Sequence, residues 1–80
     1  MKSYLTTLQV LSIMTQALKH AIDNLEDCIK ENDTRKAEPH YLDMLEDLIT
    51  NEPVHFSVLS AGCQAAMIIT LHEEGRLEII

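Results

Sequence analysis

The amino-acid sequence predicts an all-α fold: a small three-helix bundle with a long first helix, in a single domain over residues 1–80. Three observations support this fold class. The 80 residues are 46% hydrophobic but only 4% aromatic, so the core is aliphatic and suits packed helices. Two glycines and two prolines are too few turn-formers for a many-stranded β fold. Apolar residues also recur three and four positions apart, the spacing of an amphipathic helix.

The first predicted helix runs from about Ser3 to about Glu31. Mainly apolar residues alternate four and three apart along this whole stretch, which is the pattern of a helix that packs lengthwise on others. They are Tyr4, Leu8, Leu11, Thr15, Leu18, Ile22, Leu25 and Ile29. The turn-favouring residues 32–34 end the helix, because their side chains compete with helical hydrogen bonds.

The length of this helix predicts a homodimer. About 28 helical residues extend for about 42 Å, whereas a compact chain of this size is only about 30 Å across. The N-terminal half should therefore overhang, and a second copy of the chain should cover its apolar surface. We expect the self-association surface to combine this half with the small-residue face of the third helix, through Tyr4, Leu5, Leu8, Leu11, Ile13, Met14, Gly62 and Ala66.

Two further helices are predicted in the rest of the chain. The second begins near Pro39, which suits a first helical turn, and ends before Pro53, since the residue preceding a proline avoids the helical conformation. The third begins between Pro53 and Ser57 and continues to Glu74. Its small residues 60–66 allow helices to approach closely, so this segment belongs at the buried centre of the bundle or at an oligomer interface.

An alternative for the C-terminal segment is a β-hairpin. Residues 67–80 also scan as two strands joined by a turn that contains Gly75, which in the helical interpretation is a left-handed C-terminal cap. Residues 65–80 resemble the end of a recognition helix that runs into the wing strand of a winged-helix domain, mainly through Leu71, Gly75 and Leu77. The resemblance implies a winged-helix-like regulator, although the basic residues expected on a DNA-binding helix are missing.

A ten-residue phrase occurs twice, at residues 20–29 and 40–49. Six of the ten positions are identical: a histidine, two aspartates, a glutamate, a leucine and an isoleucine. On a helical wheel, each copy places its aliphatic residues on one face and its histidine and aspartates on nearly the opposite face. The short connection should make the two copies antiparallel neighbours. Together they are expected to present an acidic surface made of Asp23, Glu26, Asp27, Asp43, Glu46 and Asp47.

The charge pattern predicts a protein-binding function. The net charge is −7, and residues 23–52 hold ten acidic residues against three basic ones. Such a surface steers a basic protein partner and can mimic nucleic acid, whereas direct nucleic-acid binding needs clustered Lys and Arg. We therefore expect a non-enzymatic regulator, adaptor or inhibitor. We expect it to be cytoplasmic, because no convincing signal peptide, membrane span or disulfide framework is present.

Two other kinds of function remain as alternatives. A small-ligand sensor would have a pocket between helices near the small residues Ala21, Cys28, Gly62 and Cys63. An enzyme or a metal site would use the histidines, but the sequence contains no phosphate loop, nucleophile elbow or metal-binding motif. The histidines of the repeated phrase also point outward, unlike the ligands of a bundle metal site. We therefore expect no catalytic residue, no cofactor and no metal.

Overall fold

A computed structural model describes residues 3–80 and shows five helices and two short strands. The helices are α1 (Thr7–His20), α2 (Ile22–Arg35), α3 (Tyr41–Asn51), α4 (Pro53–Ser57) and α5 (Ala61–Glu73). The strands are β1 (Ser3–Leu5) and β2 (Leu77–Ile79). The predicted class, a small helical bundle, is confirmed.

The long first helix predicted from the sequence is divided into three elements. The strand β1 comes first, and Thr6 then begins α1 through a capping box with Gln9, in which each side chain accepts a hydrogen bond from the other residue's backbone N–H. A second break falls at Ala21, whose backbone leaves the helical region at φ −147° and ψ 30°. Because of this break, α1 and α2 both pack against α5. Residues 3–80 measure 32 × 27 × 21 Å, and no helix of about 42 Å overhangs this part of the chain.

The two strands form a parallel pair that joins the two ends of the described chain. Ser3 lies opposite Leu77, and Leu5 lies opposite Ile79. The alternative C-terminal hairpin is therefore wrong. Residues 67–73 are helical, and the C-terminal strand pairs with the start of the chain instead.

Helix α5 ends in a Schellman motif that directs the chain into β2. Gly75 has a φ of 72°, as a left-handed cap requires. The Gly75 N–H donates to the carbonyl of His72 at 3.1 Å, and the Arg76 N–H donates to the carbonyl of Leu71 at 2.8 Å. The predicted role of Gly75 as the helix cap is confirmed.

Helix α5 is the buried centre of the bundle. Its small face packs against α2, where Gly62 is so close that an added Cβ would lie 2.7 Å from the backbone nitrogen of Leu25. The main core continues on its other side and is built from β1, α3, α4, α5 and β2. Its buried members are Leu5, Tyr41, Leu45, Ile49, Phe56, Ile68, Leu71 and Leu77.

Helix α1 carries apolar residues on two faces, and the packing stripe predicted for it points outward. The inner face contacts the core or is buried, through Val10, Ile13, Met14 and Ala17. The outer face exposes three leucines, Leu8 by 79%, Leu11 by 56% and Leu18 by 64%. Both faces have helical spacing, so periodicity alone did not show which one is buried.

Candidate binding groove between helices α2 and α3

The two copies of the repeated phrase lie on either side of a groove. Residues 22–29 of the first copy are in α2, which packs against α5, and residues 41–49 of the second are in α3, which contacts β1, α4 and α5. A groove with a volume of about 390 Å³ lies between α2 and α3, and residues of α5 contribute to its floor. This groove replaces the direct packing of the two copies that the sequence predicted.

The floor of the groove is apolar. Leu45 and Leu48 of α3 and Met67 of α5 line it, and Met44 of α3 adds a half-exposed side chain. Methionine is flexible and polarizable, so it adapts to apolar surfaces of different shape. The floor therefore suits an apolar side chain of a ligand.

Two of the four residues predicted for a ligand pocket line this groove. They are Cys28 of α2 and Cys63 of α5. The other two lie in the contact between the same helices, because a Cβ added to Gly62 would be 2.9 Å from the carbonyl oxygen of Ala21. The small residues of this pair bring the helices together and leave no space between them.

The rim of the groove is acidic. Three acidic residues line it: Glu31 of α2, Asp47 of α3 and Glu52, which follows α3. Among the described residues that line the groove, one is basic, Arg35. That guanidinium is already paired, with Nη1 3.9 Å from the Glu31 carboxylate and Nε 3.4 Å from the Glu38 carboxylate. The groove therefore has a surplus of negative charge.

Tyr41 forms a wall of the groove and ties α3 to α2. Its hydroxyl donates to Oδ1 of the buried Asn32, and the Arg35 guanidinium lies 4.4 Å from the centre of its ring. Burial raises the pKa of Tyr41 above its ordinary value, and the nearby Arg35 opposes that rise. The hydroxyl therefore stays protonated near neutral pH and remains a hydrogen-bond donor.

Two of the six predicted acidic residues belong to an ion-pair network. Nη1 of Arg76 contacts the Asp43 carboxylate and lies 3.0 Å from Oε2 of Glu46. Glu46 is only 4% exposed, so Arg76 compensates part of the cost of burying this carboxylate. Hydrogen bonds from Arg76 and His40 hold the pKa of Asp43 below its ordinary value. Asp43 and Glu46 together raise the pKa of Arg76.

The other four predicted acidic residues are exposed, but they do not share one surface. Asp47 lines the groove, where Asn51 Nδ2 donates to its carboxylate at 2.6 Å. Asp23, Glu26 and Asp27 are exposed on α2 and lie outside the lining of the groove. The single acidic face predicted from the sequence is therefore divided into a groove rim, an ion-pair network and an exposed set on α2.

Sequence reasoning missed two carboxylates of the groove rim and the arginine of the ion-pair network. Glu31 follows Asp27 by one helical turn, a spacing that would have extended the acidic face of α2. Glu52 lies just beyond the second copy of the repeated phrase. The role of Arg76 had no local signal, because its carboxylate partners are 33 and 30 residues away in sequence.

The residues predicted for self-association fall into three groups. An exposed group consists of Tyr4, Leu8 and Leu11. A second group contributes to the core or packs against it, and consists of Leu5, Ile13 and Met14. Gly62 and Ala66 are buried inside the chain, so they offer no surface to a second copy.

The chain matches no protein-family model, no curated protein and no solved structure. Within residues 3–80, no three His, Cys, Asp or Glu side chains come together as a metal site requires. No helix in this part of the chain has both the length and the apolar character needed to cross a bilayer.

Proposed function

We propose that this protein is a non-enzymatic binding module that holds a basic, amphipathic helix of a partner protein in the groove between α2 and α3. The supporting observation is that one groove combines an apolar floor with an acidic rim. A partner helix with apolar residues on one face and Lys or Arg beside them complements both features. By binding such a helix, the protein would act as a regulator, adaptor or inhibitor of its partner.

The dimensions of the groove define the segment that it binds. Helix α3 has 11 residues, which corresponds to about 16 Å of helix. A partner helix lying alongside it makes contact over about three turns, so apolar residues at i, i+3 or i+4, and i+7 would face the floor. Basic residues flanking that stripe would lie near Glu31, Asp47 and Glu52.

The exposed carboxylates on α2 have a different role in this proposal. Asp23, Glu26 and Asp27 lie outside the groove, so they add to the negative field around it without touching the bound helix. Such charges accelerate encounter with a basic segment, and salt screens their effect. We therefore expect them to change the association rate more than the dissociation rate.

The proposal is tested with a synthetic amphipathic helix as the probe. The peptide carries Leu at i, i+4 and i+7 with Lys at the flanking positions, and its affinity is measured by calorimetry at low salt. Reversing the rim charges with Asp47→Lys and Glu52→Lys should weaken binding by about tenfold or more, because both charges flank the bound helix.

The matched control reverses two charges of the first copy, with Asp23→Lys and Glu26→Lys. Both double variants change the net charge equally, so non-specific attraction falls equally in the two. We expect the control to retain binding within about threefold, as exposed charges outside a contact contribute little to affinity. Equal losses of affinity in the two variants would contradict the groove proposal. So would equal affinity of the wild type for a second peptide in which Glu replaces the flanking Lys residues.

The outer face of α1 supports a second proposal, that two copies of this chain associate. Residues 3–18 contain no charged residue, in a chain whose net charge is −7. Residues 3–18 would therefore add no like-charge repulsion to a contact between two copies, and this contact would cover Leu8, Leu11 and Leu18.

Multi-angle light scattering over a concentration series tests the association. The wild-type mass should rise above the monomer mass of 9.1 kDa as concentration increases. The double variant Leu8→Glu and Leu18→Glu should remain monomeric, whereas Val58→Glu, which places a charge at a similarly exposed apolar residue outside α1, should still associate. A wild-type mass of 9.1 kDa at every concentration would refute self-association.

A further inference from the structure

The thiols of Cys28 and Cys63 meet across the interface between α2 and α5. Their sulfur atoms are 2.7 Å apart, although the residues are 35 positions apart in sequence. Gly62 precedes Cys63 and brings the two backbones together, since an added Cβ there would be 2.7 Å from the nitrogen of Leu25. The sulfur pair is therefore held by helix packing and does not depend on a loop.

Asn24 orients the two thiols. The Cys28 thiol donates to Asn24 Oδ1 at 3.6 Å, and Asn24 Nδ2 donates to the Cys63 sulfur at 3.9 Å. The Asn24 amide also donates to Ser60 Oγ, the N-cap that accepts from the Cys63 N–H at 3.2 Å. One amide side chain thus links both sulfurs and the first turn of α5.

The two cysteines differ in their surroundings. Cys28 is buried, and its burial and the Cys63 thiol raise its pKa to about 12, so it is protonated near neutral pH. Both sulfurs line the groove, but Cys63 is less buried than Cys28 and lies in the first turn of α5. Cys63 is therefore the sulfur that a solvent oxidant reaches first.

We propose that Cys28 and Cys63 form a redox modification site, in which a peroxide converts the two thiols into an intramolecular disulfide between α2 and α5. The Cys63 thiolate attacks one peroxide oxygen, so that an S–O bond forms, the O–O bond breaks and the departing hydroxide takes a proton from solvent. The Cys28 sulfur then attacks the resulting sulfenic acid. The S–S bond forms as the S–O bond breaks, and the hydroxyl leaves with the Cys28 proton as water.

The overall reaction is a two-electron oxidation of the two thiols by the peroxide. The two thiols lose two electrons and two protons, and hydrogen peroxide is reduced to two water molecules. A dithiol reductant reverses the modification by exchange through a mixed disulfide. This chemistry needs only the two thiols and the oxidant, so the inference does not rest on the proposed partner helix.

The test oxidises the native protein with one equivalent of hydrogen peroxide and follows its intact mass under non-reducing conditions. We expect a monomer that has lost two hydrogens, a peptide map with Cys28 joined to Cys63, and full recovery with dithiothreitol. Sulfinic acid on either cysteine as the main product, a disulfide between two chains, or unchanged thiols would each overturn the proposal.

Two serine variants assign the order of attack, with the sulfenic-acid reagent dimedone present throughout. Cys28→Ser should accumulate a dimedone adduct on Cys63, because the second thiol is missing, whereas the wild type should form the disulfide instead. Cys63→Ser should react with peroxide at least about tenfold more slowly than Cys28→Ser, because its remaining thiol is buried and protonated. An equal yield of adduct in wild type and Cys28→Ser would show that the two sulfurs do not react with one another and would refute the site.

Discussion

The two copies of the repeated phrase show that one sequence pattern can be placed in two different environments. The shared leucine is partly buried as Leu25 but only 1% exposed as Leu45, and the shared glutamate is exposed as Glu26 but buried as Glu46. The first copy packs mainly on α5, whereas the second also contacts β1 and α4 and lies beside Arg76. Helical spacing determines which residues share a face, and the neighbouring elements determine which face is buried.

The largest expected difference between the copies is in their leucines. Leu45→Ala should lower the free energy of unfolding by about 3 kcal/mol, because it leaves a cavity in the core, whereas Leu25→Ala should cost about 1 kcal/mol. Urea denaturation of the two variants measures this difference. Equal costs would show that the two helices are buried to the same extent, contrary to the structure.

The contact of the first copy with α5 depends on a glycine. Gly62→Ala should destabilise the fold by about 2 kcal/mol, because the atoms that its Cβ would meet belong to the backbone of α2 and cannot move aside. Gly75→Ala is the matched control. The Cβ that it adds would meet no atom within 4 Å, so its only cost is the strain of an alanine at a φ of 72°. We expect that control to cost about 1 kcal/mol in the same denaturation experiment. A tolerated Gly62→Ala would show that α2 is not held by close backbone approach.

The shared glutamate provides a third comparison of the two copies. Glu46→Gln should cost about 1 kcal/mol, because it removes the charge that accepts the Arg76 hydrogen bond, and Glu26→Gln should change stability by less than about 0.5 kcal/mol. Thermal melts at neutral pH distinguish the two. A neutral Glu46→Gln would mean that the cost of burying this carboxylate cancels its ion pair.

The shared aspartate gives the smallest effect, and it depends on pH. The pKa of Asp43 is lowered in the folded chain, so its ionised form stabilises the fold. This contribution is complete above the ordinary value of 3.8 and is lost as the pH falls through the lower, folded-state pKa. Asp43→Asn should therefore make stability less sensitive to acid below about pH 4. Asp23→Asn, at the equivalent position without Arg76, should change that sensitivity less when both are followed by urea midpoints.

The helical class and several helix ends were predictable from the sequence because they depend on local chemistry. A proline follows the end of α3, Gly75 caps α5, and the small residues of α5 are buried, as their sequence context indicated. The pairing of β1 with β2 was not predictable, because it joins residues more than 70 positions apart. The break at Ala21 also gave no signal in the sequence, because alanine is the best helix former.

The candidate site was predictable only in part. The acidic character of α2 and α3 was evident from composition, and Asp47 was among the predicted residues that line the groove. The ion pairs of Arg76 with Asp43 and Glu46 were not evident, because they depend on where β2 begins. The groove itself follows from the separation of α2 and α3, and no local pattern in either helix encodes that separation.

Chemical-shift mapping is the most direct test of the groove as the binding site. ¹⁵N-labelled protein is titrated with the Leu/Lys helix peptide, and amide shifts are followed for both copies of the repeated phrase. We expect the largest changes at groove residues, including Met44, Leu48 and Met67, and we expect them to disappear when Asp47 and Glu52 are replaced by lysine. Changes concentrated at Asp23, Glu26 and Asp27, or on the outer face of α1, would contradict it.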